Sequence, residues 1–165
     1  MKKHIFNAGL VLLVLAVIVT ACKKDDDDST PTKTNKEYLT SGYWKITAMT
    51  IDPGVSFGGT TITDLYSQFP SCTKDDIMKF NSDGSITDDE GATKCDVNDP
   101  QTTNDGSWVM SQDNKSFTVS YPGEDAFTMT IIEISDTKLK GSYTAVEDWG
   151  SGALTYTYTV TFAKQ

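Results

Sequence analysis

From Leu154 to Phe162 the chain alternates with a period of two. Leu154, Tyr156, Tyr158, Val160 and Phe162 are apolar, and Thr155, Thr157, Thr159 and Thr161 stand between them. Successive side chains of a strand point to opposite faces, so this spacing predicts a strand with one buried face. Threonine on the other face supplies β-propensity without adding much apolar surface. The same alternation predicts strands over residues 42–50, 76–81, 85–89, 106–110, 116–121, 126–135 and 138–147, with 154–162 as the eighth. In the first of them Trp44, Ile46 and Ala48 share a face. The stretches SQDNK, PGED, SDTK and DWGSGA between strands are rich in turn residues. Around Ser82-Asp83-Gly84 the expected connection is a bulged turn with Gly84 left-handed, which sets Phe80 opposite Ile86, in preference to a plain two-residue turn, which would set Phe80 opposite Thr87. Residues 51–70 read as irregular, with a short helical turn opening at Thr63-Asp64-Leu65-Tyr66.

No segment carries a sustained helical period. Eight short antiparallel strands joined as hairpins predict an all-β fold, an eight-stranded antiparallel up-and-down barrel, because closure removes both sheet edges. An open sandwich has the same strand count and stays open as the alternative.

Ahead of the strands the pattern is different. Lys2 and Lys3 precede an unbroken apolar run from Leu10 to Val19, about half the ~20 residues a membrane-spanning helix needs, which suits the core of a secretory signal. Val19-Thr20-Ala21-Cys22 resembles the bacterial lipobox, in which the chain is cut before a cysteine that then carries lipid. Lys23, Lys24 and Asp25 to Asp28 resemble the surface-export signal of Bacteroidetes lipoproteins. These resemblances imply a signal peptide over 1–21, a lipidated Cys22 heading an acidic flexible tether over 22–37, and a domain over 38–165. The expected location is the outer membrane, lipid-anchored and exposed at the cell surface. An ordinary signal cleaved after Ala21 is the alternative. The segment STPTKTNKE, 29–37, has almost no apolar content to offset its ordering entropy.

The chain carries 14 Lys and Arg, 23 Asp and Glu, and one His; every one of the 14 is lysine. Removing a leader that holds Lys2 and Lys3 leaves twelve lysines against 23 acids, a net charge of −11, which disfavours nucleic acid and anionic headgroups as partners. The one histidine, His4, lies in the expected leader. Without it no Ser-His-Asp or Cys-His arrangement can be assembled and a zinc site would be carboxylate only. No phosphate-cradling glycine motif is present. The expectation is therefore a protein with no cofactor, no metal and no catalytic residue. An enzyme would have to be a carboxylate hydrolase, using Asp75/Asp76, Asp88/Asp89/Glu90 or Glu147/Asp148, but adjacent acids on a strand face opposite ways. Asp96, Asn98 and Asp99, with Asn104 and Asp105, supply oxygens that could surround Ca²⁺, although turns use the same residues.

Gly42-Tyr43-Trp44 opens the first strand as G-x-W. With Tyr43 to Thr47, Cys72, Asp75-Asp76, Phe80 to Gly84, Glu90-Gly91, Cys95-Asp96 and Gly106-Ser107-Trp108, it resembles the lipocalin-like domain of Bacteroidetes outer-membrane lipoproteins. The resemblance runs from about Tyr38 to the C-terminus and implies an eight-stranded calyx with a small-molecule pocket. In lipocalins an arginine packs over the G-x-W tryptophan; this chain has none, and the aliphatic stem of Lys138 or Lys140 is the available substitute.

Cys72 and Cys95 flank the 76–89 hairpin almost symmetrically, so in an oxidising compartment a disulfide between them would clamp its open end. The rival, a reactive thiol or metal ligand, lacks a basic neighbour. The ligand-binding candidates are the inward aromatics and one methionine: Trp44, Trp108, Phe127, Met129, Tyr143, Tyr156 and Tyr158, with Trp149 at the rim. An eight-stranded barrel either fills with such side chains or holds one small ligand. Two functions follow: a binding module for a small apolar or neutral molecule, or a filled barrel acting as a non-catalytic accessory of an outer-membrane protein assembly.

Overall fold

In the computed structural model the described residues are 33–150 and 152–165; the expected signal peptide, Cys22 and most of the expected tether lie outside them. One antiparallel sheet of nine strands runs in the order β2-β1-β3-β4-β5-β6-β7-β8-β9, and β1 also pairs with β9, which closes it. The strands are β1 (Tyr43–Phe57), β2 (Thr60–Asp64), β3 (Ile77–Phe80), β4 (Ser85–Asp89), β5 (Thr102–Met110), β6 (Ser116–Ser120), β7 (Phe127–Ile134), β8 (Lys138–Glu147) and β9 (Leu154–Lys164). Eight of them form the closed barrel. The ninth, β2, is a flap hydrogen-bonded only to the far half of β1.

The flap corrects the reading of 51–70 as irregular. β1 continues to Phe57, turns over Gly58 and Gly59, both at positive φ, and returns as β2. The two glycines supply a turn that side-chain-bearing residues would make only under strain. The helical turn does form just beyond, as a 3₁₀ turn at Tyr66–Gln68, and the Asp64 carboxylate accepts from the Ser67 amide at 3.1 Å. The β3–β4 register sets Phe80 opposite Ile86 with Gly84 at φ 92°, the bulged turn of the two alternatives.

One face assignment in β1 is also corrected. A bulge at Thr47 shifts the β1–β9 register between Ile46 and Ala48, so Ala48 is exposed while Met49 and Ile51 turn inward. A bulge reverses the alternation downstream of itself, which a strict period-two reading misses.

Residues 35–37, expected in the tether, begin a one-turn helix, α1 (Asn35–Leu39). Thr34 and Glu37 form a reciprocal capping box, which satisfies amides that a helix this short cannot bond internally. The helix lies across the end of the barrel where the β3–β4, β5–β6 and β7–β8 turns gather. Lys33 pairs with Asp136, and Asn35 donates to the Asn114 carbonyl at 2.8 Å. Leu39 is fully buried in the same core as Trp44, and the Trp44 indole donates to the Leu39 carbonyl at 2.8 Å. So α1 closes over the G-x-W tryptophan, and the Lys138 ammonium is with Glu133 at 2.7 Å. The Lys36 ammonium lies over the other core indole, 6.0 Å from the centre of the Trp108 ring.

Above this closed end Phe80 packs edge-on against both Trp108 and Phe117. Burying side chains of this size stabilises the fold by about 1.5–3 kcal/mol each, before entropy is subtracted. Thr32–Gln165 forms one compact unit with its own core, the requirement for folding alone.

Candidate functional site

Antiparallel connectivity puts the β1–β2, β4–β5, β6–β7 and β8–β9 loops at the end opposite α1. There a second cluster of buried residues, Ile51, Val55, Tyr156 and Tyr158, sits apart from the core below. Between this cluster, the flap and the β8–β9 loop lies an open cleft of about 710 Å³. Its walls are Met49, Val55 and Ile62 from the flap hairpin, Leu65 and Phe69 from the following turn, and Tyr143, Tyr158 and Trp149 from β8, β9 and their loop. Polar atoms come from Gln68 and Glu147.

Below the cleft the barrel interior holds a smaller cavity of about 130 Å³, lined almost wholly by apolar side chains such as Ile46, Met78, Phe117, Phe127 and Met129. Met49 and Tyr143 line both spaces. Three rings connect them. Phe127 and Tyr143 lie 4.6 Å apart, tilted by 38°, and Tyr143 stacks on Tyr158 at 4.8 Å and 8°. The Tyr158 hydroxyl donates to Glu147 at 2.7 Å, so the top of the stack is tied to the rim. Burial, then the neighbouring Glu147, holds the Tyr158 phenol above its ordinary range; the same two causes push Tyr143 up to about 12. Both stay neutral donors at physiological pH.

A third space, a chamber of about 350 Å³, lies where β1 and β3 separate. These strands pair only at Tyr43 and Trp44, opposite Lys79 and Met78, so the wall beyond is not hydrogen-bonded to β3. Its lining mixes Trp44, Ile46 and Met78 with the carboxylates of Asp76, Asp88 and Glu90. Tyr121 donates to both oxygens of Asp88, at 3.1 and 3.0 Å. Burial raises the Asp88 pKa and the bond from Tyr121 opposes it. Asp76 is pushed up to about 6 by burial first, then by Glu90, Asp75, Asp88 and Asp89. Asp75 points away: its carboxylate accepts from the amides of Ala92 and Thr93 and from the Thr93 hydroxyl, which hold its pKa low.

Cys72 and Cys95 form a disulfide beside this chamber, with Cα atoms 5.2 Å apart. It clamps the open end of the β3–β4 hairpin, as the flanking positions anticipated. In the loop beyond, Asp96 accepts from the Asn98 amide and side chain at 2.9 Å, an Asx turn. Among the described residues no group of three or more His, Cys, Asp or Glu converges to hold a metal ion.

Of the anticipated ligand-binding residues, the structure brings Phe127, Met129, Tyr143, Trp149 and Tyr158 to the cleft and the cavity beneath it, and Trp44 to the chamber. Trp108 and Tyr156 line none of these spaces. Trp108 belongs to the closed end, its indole donating to the Asn81 carbonyl at 2.9 Å, and Tyr156 is buried under the flap. Facing inward was the right criterion for burial but not for cavity lining. Not anticipated as cavity-lining were Met49, Val55, Ile62, Leu65 and Phe69, because the flap was not foreseen, and Asp76, Asp88 and Tyr121, of which the two aspartates entered only as carboxylates for a hydrolase. The last three continue the inward alternation of Met78–Phe80, Ile86 and Phe117–Val119, a pattern visible in the sequence.

Fold and cavities together define a closed calyx, sealed at one end by a helix and open at the other. The chain belongs to the family of the lipocalin-like domain, whose model matches residues 40–141. Among solved structures it is similar to bovine odorant binding protein in complex with a selenium-containing odorant, at 14% identity and a TM-score of 0.41 over 81% of this chain and 74% of that one. It is likewise similar to bovine odorant binding protein complexed with its natural ligand, at 16% identity and 0.41 over 81% and 76%. A search among curated proteins finds no match.

Proposed function

We propose that the protein is a binding module that holds a small, largely apolar molecule in the cleft and the cavity beneath it, anchored by lipid on Cys22 at the outer surface of the outer membrane. The observation that carries the binding is the cleft of about 710 Å³ beside Trp149, with aliphatic and aromatic walls and few polar groups. Concave, mostly apolar spaces of this size are where small molecules bind. The neutral phenols of Tyr143 and Tyr158 orient a ligand by hydrogen bonds, and the absence of arginine argues against a carboxylate or phosphate. The lipid anchor and export rest on Val19 to Asp28. No catalytic step is assigned.

The test is thermal denaturation of the fragment Thr32–Gln165 against medium-chain alcohols, aldehydes, small aromatics and a metabolite extract. A ligand at 100 times its Kd stabilises by about 2.7 kcal/mol, a shift of roughly 10 °C. The shift should shrink in Tyr158→Ala. If no compound stabilises the fragment, the filled-barrel accessory role takes its place. For the anchor, the full chain expressed in a bacterium that processes lipoproteins should partition into detergent, and the Cys22→Ala chain into water.

A further inference from the structure

The chamber between β1 and β3 has a feature the apolar cleft lacks. Asp76 Oδ1 is shielded from solvent and accepts no hydrogen bond, although the residue as a whole is only partly buried. Buried polar atoms are paired in nearly all cases, so an orphaned carboxylate oxygen in a cavity marks a place for a missing donor. The neighbouring charges increase the need. Asp88, Asp89, Glu90 and Glu124 line the same chamber, and among the described residues no lysine does. Asp88 already receives the Tyr121 hydroxyl, and Asp89 the Gly91 amide and the Gln101 side chain, whereas the buried Asp76 oxygen has no donor.

The missing donor is cationic, because a neutral donor would satisfy the oxygen but leave the mutual repulsion of the acids in place. It is not a bare metal ion: no three ligating side chains converge here, and Trp44, Ile46, Ile77 and Met78 give the chamber an apolar wall. An apolar wall beside a carboxylate suits an alkylammonium group, with three N–H donors and a hydrocarbon stem. The chamber also shares Ile46, Met78 and Tyr121 with the cavity inside the barrel, so the two spaces adjoin and a stem directed past these side chains would enter the calyx. We propose that the chamber takes the ammonium end of an amphiphilic amine whose apolar part lies in the calyx, an inference that rests on the calyx reading above.

Octylamine and 1-octanol, which differ only in the head group, separate the two claims. Calorimetric titration of Thr32–Gln165 with each at pH 7.5 and low salt is expected to give octylamine at least a tenfold lower Kd. Asp76→Asn should bring the ratio of the two constants close to one, with an unchanged melting cooperativity confirming that the variant is folded. One molar salt should reduce the ratio in the natural sequence, since attraction of this kind is screened. Equal Kd values for the two compounds in the natural sequence overturn the inference and leave the calyx standing. Binding of neither overturns both. Calcium at millimolar concentration that raises the melting temperature and abolishes the octylamine preference also overturns it, making the chamber a metal site.

Discussion

Removing the Cys72–Cys95 disulfide tests how the open end of the barrel is held. The bond joins residues 23 apart and spans the β3–β4 hairpin together with the loop after it. In the chain-entropy account, closing a loop of that length in the unfolded chain stabilises the fold by about 3 kcal/mol. For a domain of this size that corresponds to a fall in Tm of roughly 10–15 °C on removal. The native structure should survive the loss, because Asp75 independently joins the two sides through the Ala92 and Thr93 amides. The perturbation is Cys72→Ser with Cys95→Ser, alongside the natural sequence in reductant, each followed by circular dichroism melts. Hydrogen exchange adds position: amides of β3 and β4 should open below the global unfolding free energy, while those of β8 and β9, paired over ten residues, should not. A Tm drop under about 3 °C in both experiments would refute the account. So would faster exchange spread evenly over the barrel.

Gly91→Ala should destabilise by at least ~2 kcal/mol in urea titration, since Gly91 sits at φ 66° and a Cβ there would lie 2.3 Å from the Asp75 carbonyl oxygen. Leu39→Ala should cost about 3 kcal/mol by the same assay, because it opens a hole over Trp44 at the closed end. For Asp76 the sign follows from a folded pKa of about 6 against an ordinary 3.8. Its contribution to stability is complete below pH 4 and is lost as pH rises to about 6, where the folded state must carry an unfavourable charge. Asp76→Asn, which cannot ionise, should therefore match the natural sequence near pH 4 and exceed it at pH 7–8. A fully sequestered carboxyl would give ~3 kcal/mol, and solvent screening of this partly exposed one reduces the gain to about 1 kcal/mol. Urea midpoints at the two pH values check this; a gap that does not widen with pH refutes it.

The sequence by itself determined the strand count of the closed barrel, the faces of β9 and the β3–β4 register. It also determined the pairing of its two domain cysteines. Each is written locally: alternation names a strand's buried face within a few residues, and Asp83-Gly84 sets a turn by its own backbone preference. Only the tertiary structure decided where the barrel is solid and where it is hollow. The extra residue at Thr47 turned Met49 and Ile51 inward, the β1–β2 flap raised Val55 and Ile62 over the mouth, and α1 sealed Trp44 in place of an arginine. The parting of β1 from β3 after two residue pairs opened a chamber beside Asp76. These outcomes depend on contacts between segments far apart in the chain, and a pattern read along one strand contains the direction of each side chain but not the distance to what faces it.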